Sequence, residues 1–93
     1  MKKIINNKIY DTEKCDIIYT FRKNYPIPCL FIEGYQFNNF IDTQILRTKK
    51  GTYLEYCKEK NILNIVNEKW VKDLIKRLDA DKYIELFGKL EEG

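Results

Sequence analysis

The chain has no histidine. The commonest general acid or base, and the usual partner of a serine or cysteine nucleophile, is therefore missing. Catalysis by carboxylates alone would need a distinctive pair of Asp or Glu, and none stands apart from the solvated ones. The expectation is a protein that is not an enzyme, with no catalytic residue. Cysteine is scarce as well. Cys15, Cys29 and Cys57 are an odd, widely spaced set without a Cys-x-x-Cys pair. A zinc site would want a fourth ligand that histidine cannot supply here. These residues read as buried or half-buried thiols, and neither metal nor cofactor is expected.

Long apolar runs are also absent. Nothing approaches the roughly 20 residues needed to span a bilayer. Behind Met1-Lys2-Lys3 only Ile4 and Ile5 precede Asn6, which is too short for a signal-peptide core. The expectation is a cytoplasmic protein without membrane contact, in which a disulfide framework has no place. An acidic excess is missing too. Seventeen Lys and Arg against 14 Asp and Glu give a net charge of +3. That balance argues against an acidic surface that mimics DNA, and is modest for a nucleic-acid binder. Proline occurs only at Pro26 and Pro28, inside Asn24-Tyr25-Pro26-Ile27-Pro28, which excludes a central strand there.

What is present is turn chemistry between alternating runs. Ninety-three residues make one domain, 1–93. The best-specified stretch is Thr43 to Lys58. It predicts a hairpin whose turn runs through Lys49-Lys50-Gly51, with Gly51 in the left-handed conformation that glycine alone enters freely. Ile45 is set to one side of the first strand and Gln44, Leu46 and Thr48 to the other. On the second strand Leu54 and Tyr56 lie opposite to Tyr53, Glu55 and Cys57. One face is expected to enter a core and the other to stay wet.

A second hairpin is predicted at Lys2 to Tyr10, turning at Asn6-Asn7, with a short helical turn capped by Asp11 or Thr12 after it. Asp16 to Lys23 reads as a strand, Cys29 to Ile32 as a short one, and Ile62 to Val66 as another. Asn67 then caps a helix with Trp70, Val71, Leu74, Ile75 and Leu78 on one face, where Trp70, Leu74 and Leu78 are the expected anchors. Asp79-Ala80-Asp81 is expected to break it and to cap a second helix carrying Tyr83, Ile84, Leu86 and Phe87, closed by Gly88. Leu90 is expected to pack and Glu91-Glu92-Gly93 to fray. The resulting fold class is α+β: a small, hairpin-rich antiparallel sheet with C-terminal helices packed on one face.

Two constellations bear on function. Seven of the thirteen aromatics lie between Tyr19 and Phe40. One side of one small sheet cannot bury them all, so some belong either to a crowded core's rim or to an interface. Arg47, Lys49 and Lys50, with Lys58 and Lys60 nearby, make the hairpin the most basic local surface. The basic face of the first helix is either a solvated surface or a phosphate contact.

Asn6-Asn7-Lys8-Ile9-Tyr10-Asp11-Thr12 resembles the N-terminal N-G-K-x-Y-D-T signature of small proteins of phages and other mobile elements. Thr48-Lys49-Lys50-Gly51-Thr52-Tyr53 resembles their T-K-K-G-x-[YF] hairpin, and Tyr83-Ile84-Glu85-Leu86-Phe87-Gly88 their terminal Y-x-E-L-F-G helix. Asn7 stands where that family more often has glycine, and the aromatic middle segment departs from it. Some members look like anti-CRISPR or other anti-defence proteins. The resemblance implies a non-enzymatic inhibitor that binds a host defence effector, a CRISPR–Cas complex first of all, with possible contact to nucleic acid or guide RNA. Other classes remain: a nucleic-acid-binding accessory protein, or a sponge for a nucleotide signal. The expected partner-binding residues are Arg47, Lys49, Lys50, Tyr53 and Glu55, taken as the wet strand face and tip of the central hairpin.

Overall fold

In a computed structural model, the structure describes residues 1–89, so the expectations for Leu90 and for Glu91-Glu92-Gly93 lie outside the described residues. The chain opens with β1 (Lys2–Ile5) and β2 (Lys8–Asp11), paired in register with Ile4 opposite Ile9. Their two-residue turn holds Asn6 at φ 52° and Asn7 at φ 62°. Asparagine tolerates this left-handed geometry better than most residues. A 3-10 turn, Thr12–Lys14, follows, capped by the Asp11 carboxylate, which accepts from the Glu13 amide at 3.1 Å.

The principal sheet has four antiparallel strands in the order β3 (Asp16–Asn24), β6 (Phe40–Arg47), β7 (Tyr53–Cys57) and β8 (Ile62–Val66). Between β3 and β6 the chain makes an excursion with its own two-stranded pairing, β4 (Ile27–Pro28) against β5 (Gln36–Phe37). The prolines thus sit away from the central strands, as their missing N–H requires. The strand expected at Cys29 to Ile32 is not formed. Cys29 instead donates its amide to the Tyr35 carbonyl at 2.8 Å, which closes a loop. The hairpin turn between β6 and β7 is as its residues dictate. The Gly51 amide reaches the Thr48 carbonyl at 2.9 Å, and Gly51 lies at φ 89°.

Two helices follow among the described residues, α1 (Glu68–Leu78) and α2 (Ala80–Phe87). The Asn67 carboxamide accepts from the Trp70 amide at 2.7 Å. Asp79 ends α1 and caps α2 through the Lys82 amide at 3.1 Å. Val71, Leu74 and Ile75 are the buried stripe of α1. Trp70 and Leu78, expected as anchors beside Leu74, flank that stripe and are 36% and 49% exposed. Lys72 and Lys76 of the basic helix face lie over the rings of Phe87 and Tyr83, at 5.3 and 5.2 Å, so part of that face covers α2. Such cation–π contacts and the packed lysine stems favour a structural role for these two residues.

The register decides which residues share a face. Ile45 stands opposite Glu55, Arg47 opposite Tyr53, and Tyr53 opposite Val66. That face carries the helices: Ile45 and Tyr53 form one core cluster with Val71, Leu74, Ile75 and Tyr83. On the other face Leu46 and Leu54 are paired and join Leu63 in a second cluster, covered by Met1, Tyr10, Cys15 and Tyr56. The β1–β2 hairpin is held there by the Lys3 ammonium on the Leu63 carbonyl at 3.0 Å. Both faces of the hairpin are packed over, contrary to expectation, and of its strand residues 43–47 and 53–57 only Arg47 is exposed. Both sets of alternating residues are apolar enough to be covered, each fully buried aliphatic side chain contributing about 1.5–3 kcal/mol. A β-bulge between Ile17 and Tyr19 turns Ile18 and Tyr19 alike toward the helix-side cluster and leaves Ile17 on the opposite face.

Candidate functional site

The tip of the central hairpin places Lys49 and Lys50 in solvent. Thr48 fixes the tip twice. Its amide donates to the Thr52 carbonyl at 2.9 Å, and its hydroxyl accepts from the Thr52 amide at 3.0 Å. The β1–β2 hairpin, folded over Leu46, Leu54 and Leu63, brings a second basic surface beside this tip. Between them lies a groove of about 680 Å³, lined by Lys2, Lys8, Ile9, Tyr10, Asp11, Lys14, Cys15, Thr48, Lys49, Lys50 and Thr52. Five ammonium groups therefore surround one carboxylate. None of the five is in an ion pair among the described residues. Like charges gathered around one depression raise its positive potential and draw anions to it.

Cys15 brings a thiol to the groove. Its thiol donates to the Asp11 carbonyl at 3.3 Å. Burial pushes its pKa up, and the carboxylates of Asp11 and Asp16 push it further. The thiol is therefore protonated near neutral pH and does not offer a thiolate. What the groove can do chemically is hold an anion by charge. Among the described residues no three His, Cys, Asp or Glu side chains gather as a metal site.

The expected site residues separate into three environments. Lys49 and Lys50 join the groove. Arg47 is exposed but belongs to the helix-side face, where its guanidinium lies 5.8 Å from the centre of the Tyr53 ring. Tyr53 and Glu55, expected on a wet face, are 8% and 5% exposed. Tyr53 packs in the helix-side cluster. Glu55 is held by the Lys23 ammonium at 2.9 Å, beneath a smaller depression that Asn64 and Trp70 also line. Lys23, from strand β3, pairs with it and offsets part of the cost of burying its charge.

No family model, curated protein or solved structure matches the chain. Lys2, Lys8 and Lys14 are the groove residues that sequence reasoning missed. The signal available was the second basic cluster at the N-terminus, around the Asn6-Asn7 turn. Nothing in the sequence says that this hairpin lies against the sheet face next to Lys49 and Lys50. No helix among the described residues is long and apolar enough to cross a membrane.

Proposed function

We propose that the protein is a non-enzymatic inhibitor of a host defence system, encoded by a phage or other mobile element. It acts by docking its lysine groove onto a CRISPR–Cas effector complex, where guide or target nucleic acid exposes phosphates. The observation that carries this reading is the convergence of Lys2, Lys8, Lys14, Lys49 and Lys50, in no ion pair among the described residues, around one groove. Lysines are hydrated point charges on flexible stems and suit backbone phosphates without demanding a sequence. The resemblance of Asn6 to Thr12 and Thr48 to Tyr53 to phage and mobile-element proteins, some of which look like anti-defence proteins, supports the class of target. The protonated Cys15 thiol supports binding over catalysis.

The experiment is titration of a purified, guide-loaded effector with the protein while target cleavage is followed. Inhibition is expected to saturate at a fixed stoichiometry and to persist in chelator. Inactivation of many effectors by one molecule would overturn the reading.

A second reading, a sponge for a nucleotide signal, is favoured by the concavity of the groove. Its volume falls within the range of small-molecule sites, and Tyr10 in its wall offers a ring to a base. Equilibrium dialysis against cyclic nucleotides separates the two: retention at micromolar concentration belongs to the sponge.

A further inference from the structure

At the other end of β6 from the groove, the β4–β5 excursion ends in Leu30-Phe31-Ile32. Leu30 and Phe31 are 93% and 96% exposed. Ile27, Tyr35 and Phe37, around the same excursion, are each about half exposed. Single exposed apolar residues need no explanation, but a contiguous set does. The excursion is not slack. At its base the Asn24 carboxamide accepts from the Asn39 amide at 2.8 Å and donates to Asn38 at 3.1 Å. Tyr25 donates its amide to the Asn39 carbonyl at 2.8 Å. Nearer the tip, the Tyr35 amide reaches the Ile32 carbonyl at 3.2 Å, and Gly34 makes the turn at φ 76°. The apolar tip is thus ordered before anything covers it, which removes part of the entropic cost of binding.

Charge narrows what can cover it. From Asn24 to Leu46 the chain has no Lys or Arg, although 17 occur elsewhere. The only charged residues there are Glu33, beside the tip, and Asp42. A loop that enters an anionic membrane surface carries cations around its apolar residues, and this one carries a carboxylate. We propose that the Leu30-Phe31-Ile32 tip is a wedge that enters an apolar cleft of a protein partner, with Glu33 meeting a cationic group on the cleft's rim. Aromatic anchors filling partner pockets dominate interface energies. The lysine groove is independent of this wedge. β6 lies between them, and its eight residues span about 24 Å at the usual strand rise.

The test uses the full chain carrying p-benzoylphenylalanine in place of Phe31. It is irradiated in a bacterial lysate with and without excess unlabelled wild type. A single adduct that unlabelled protein displaces is expected. The captured protein is then purified and titrated by calorimetry against wild type, Leu30→Ser/Phe31→Ser and Lys49→Gln/Lys50→Gln. The tip variant, whose melting should match wild type because both side chains are in solvent, is expected to bind about thirtyfold more weakly or worse. Unchanged affinity of a folded tip variant overturns the proposal, as does the absence of a displaceable adduct. Two companion measurements can also overturn it. They are wild-type self-association in sedimentation that the tip variant lacks, and flotation of wild type but not the variant with phosphatidylcholine/phosphatidylserine vesicles.

Discussion

The lysine groove makes a quantitative demand on salt dependence. If all five ammonium groups displace condensed counterions from a duplex, log K should fall against log salt with a slope of about −4.5, and of about −3.5 on a single strand. Between 50 and 200 mM salt, affinity would then drop about 500-fold for duplex and about 130-fold for single strand. Lys49→Gln with Lys50→Gln keeps the tip polar, leaves the Gly51 turn alone and removes two charges. The duplex slope should therefore shrink by about 1.8, with weaker binding at low salt and little difference at high salt. The assay is fluorescence anisotropy of a labelled oligonucleotide, alone and in the guide-loaded effector, over a salt series. A slope near zero for wild type, or an unchanged slope in the double variant, would show that the groove does not meet phosphates. Arg47→Gln is the internal control: its guanidinium lies over Tyr53 outside the groove, so the slope should not move.

Stability gives two further tests. Leu74→Ala empties a buried position and should cost about 2–5 kcal/mol, lowering the melting temperature by more than 8 °C at about 4–8 °C per kcal/mol. Trp70→Ala, at the margin of the buried stripe, should cost less, and the reverse order would mean the helix is rotated from its observed setting. Alkaline pH is the second test. Burial first, and then neighbouring carboxylates for Cys15 and Tyr19, raises the pKa values of Cys15 and Tyr19, and burial also raises that of Tyr25. The folded state thus holds protons that the unfolded chain releases. Their contribution is intact below the ordinary values, near 9 for cysteine and 10 for tyrosine, and is lost as pH rises past them. Among the described residues the buried Tyr25 hydroxyl makes no hydrogen bond of good geometry, only close approaches to Thr43 and Cys57, so Tyr25→Phe should not lower the melting temperature at neutral pH and should soften the alkaline fall. A variant that melts several degrees lower at neutral pH, with the alkaline fall unchanged, would refute this account.

Local chemistry was legible in the residues and distant packing was not. Asn6-Asn7, the Gly51 turn and the Asn67 cap each act over a few residues, and each element formed where its residues pointed; the break expected over Asp79-Ala80-Asp81 narrows to Asp79, with α2 starting at Ala80. Period-two alternation likewise told which residues share a face of the central hairpin. It could not tell which face would be covered, because Ile45 and Tyr53 on one side are matched by Leu46 and Leu54 on the other. Glu55 marked its face as wet, and a lysine 32 residues away, on another strand, offsets part of the cost of its burial. The bulge at Ile18 similarly defeats the alternation of β3, since one extra residue exchanges faces without any local signature. Of the candidate site, only Lys49 and Lys50 could be read in advance. Their three companions reach them through a hairpin docked on the sheet, which is a property of packing.

The excursion between β3 and β6 leaves the sheet and returns to it across one pair of neighbours, Asn24 opposite Phe40. The strand ladder is therefore nearly indifferent to what lies between them. Loop-closure entropy grows only logarithmically, so doubling such a connection costs about 0.6 kcal/mol. A chain under changing selection can lengthen, shorten or rewrite residues 27–37 while Ile45, Leu54 and the helices keep their places. The fold thus separates what must stay constant from what is free to vary, and puts the variable part at its most exposed apolar point.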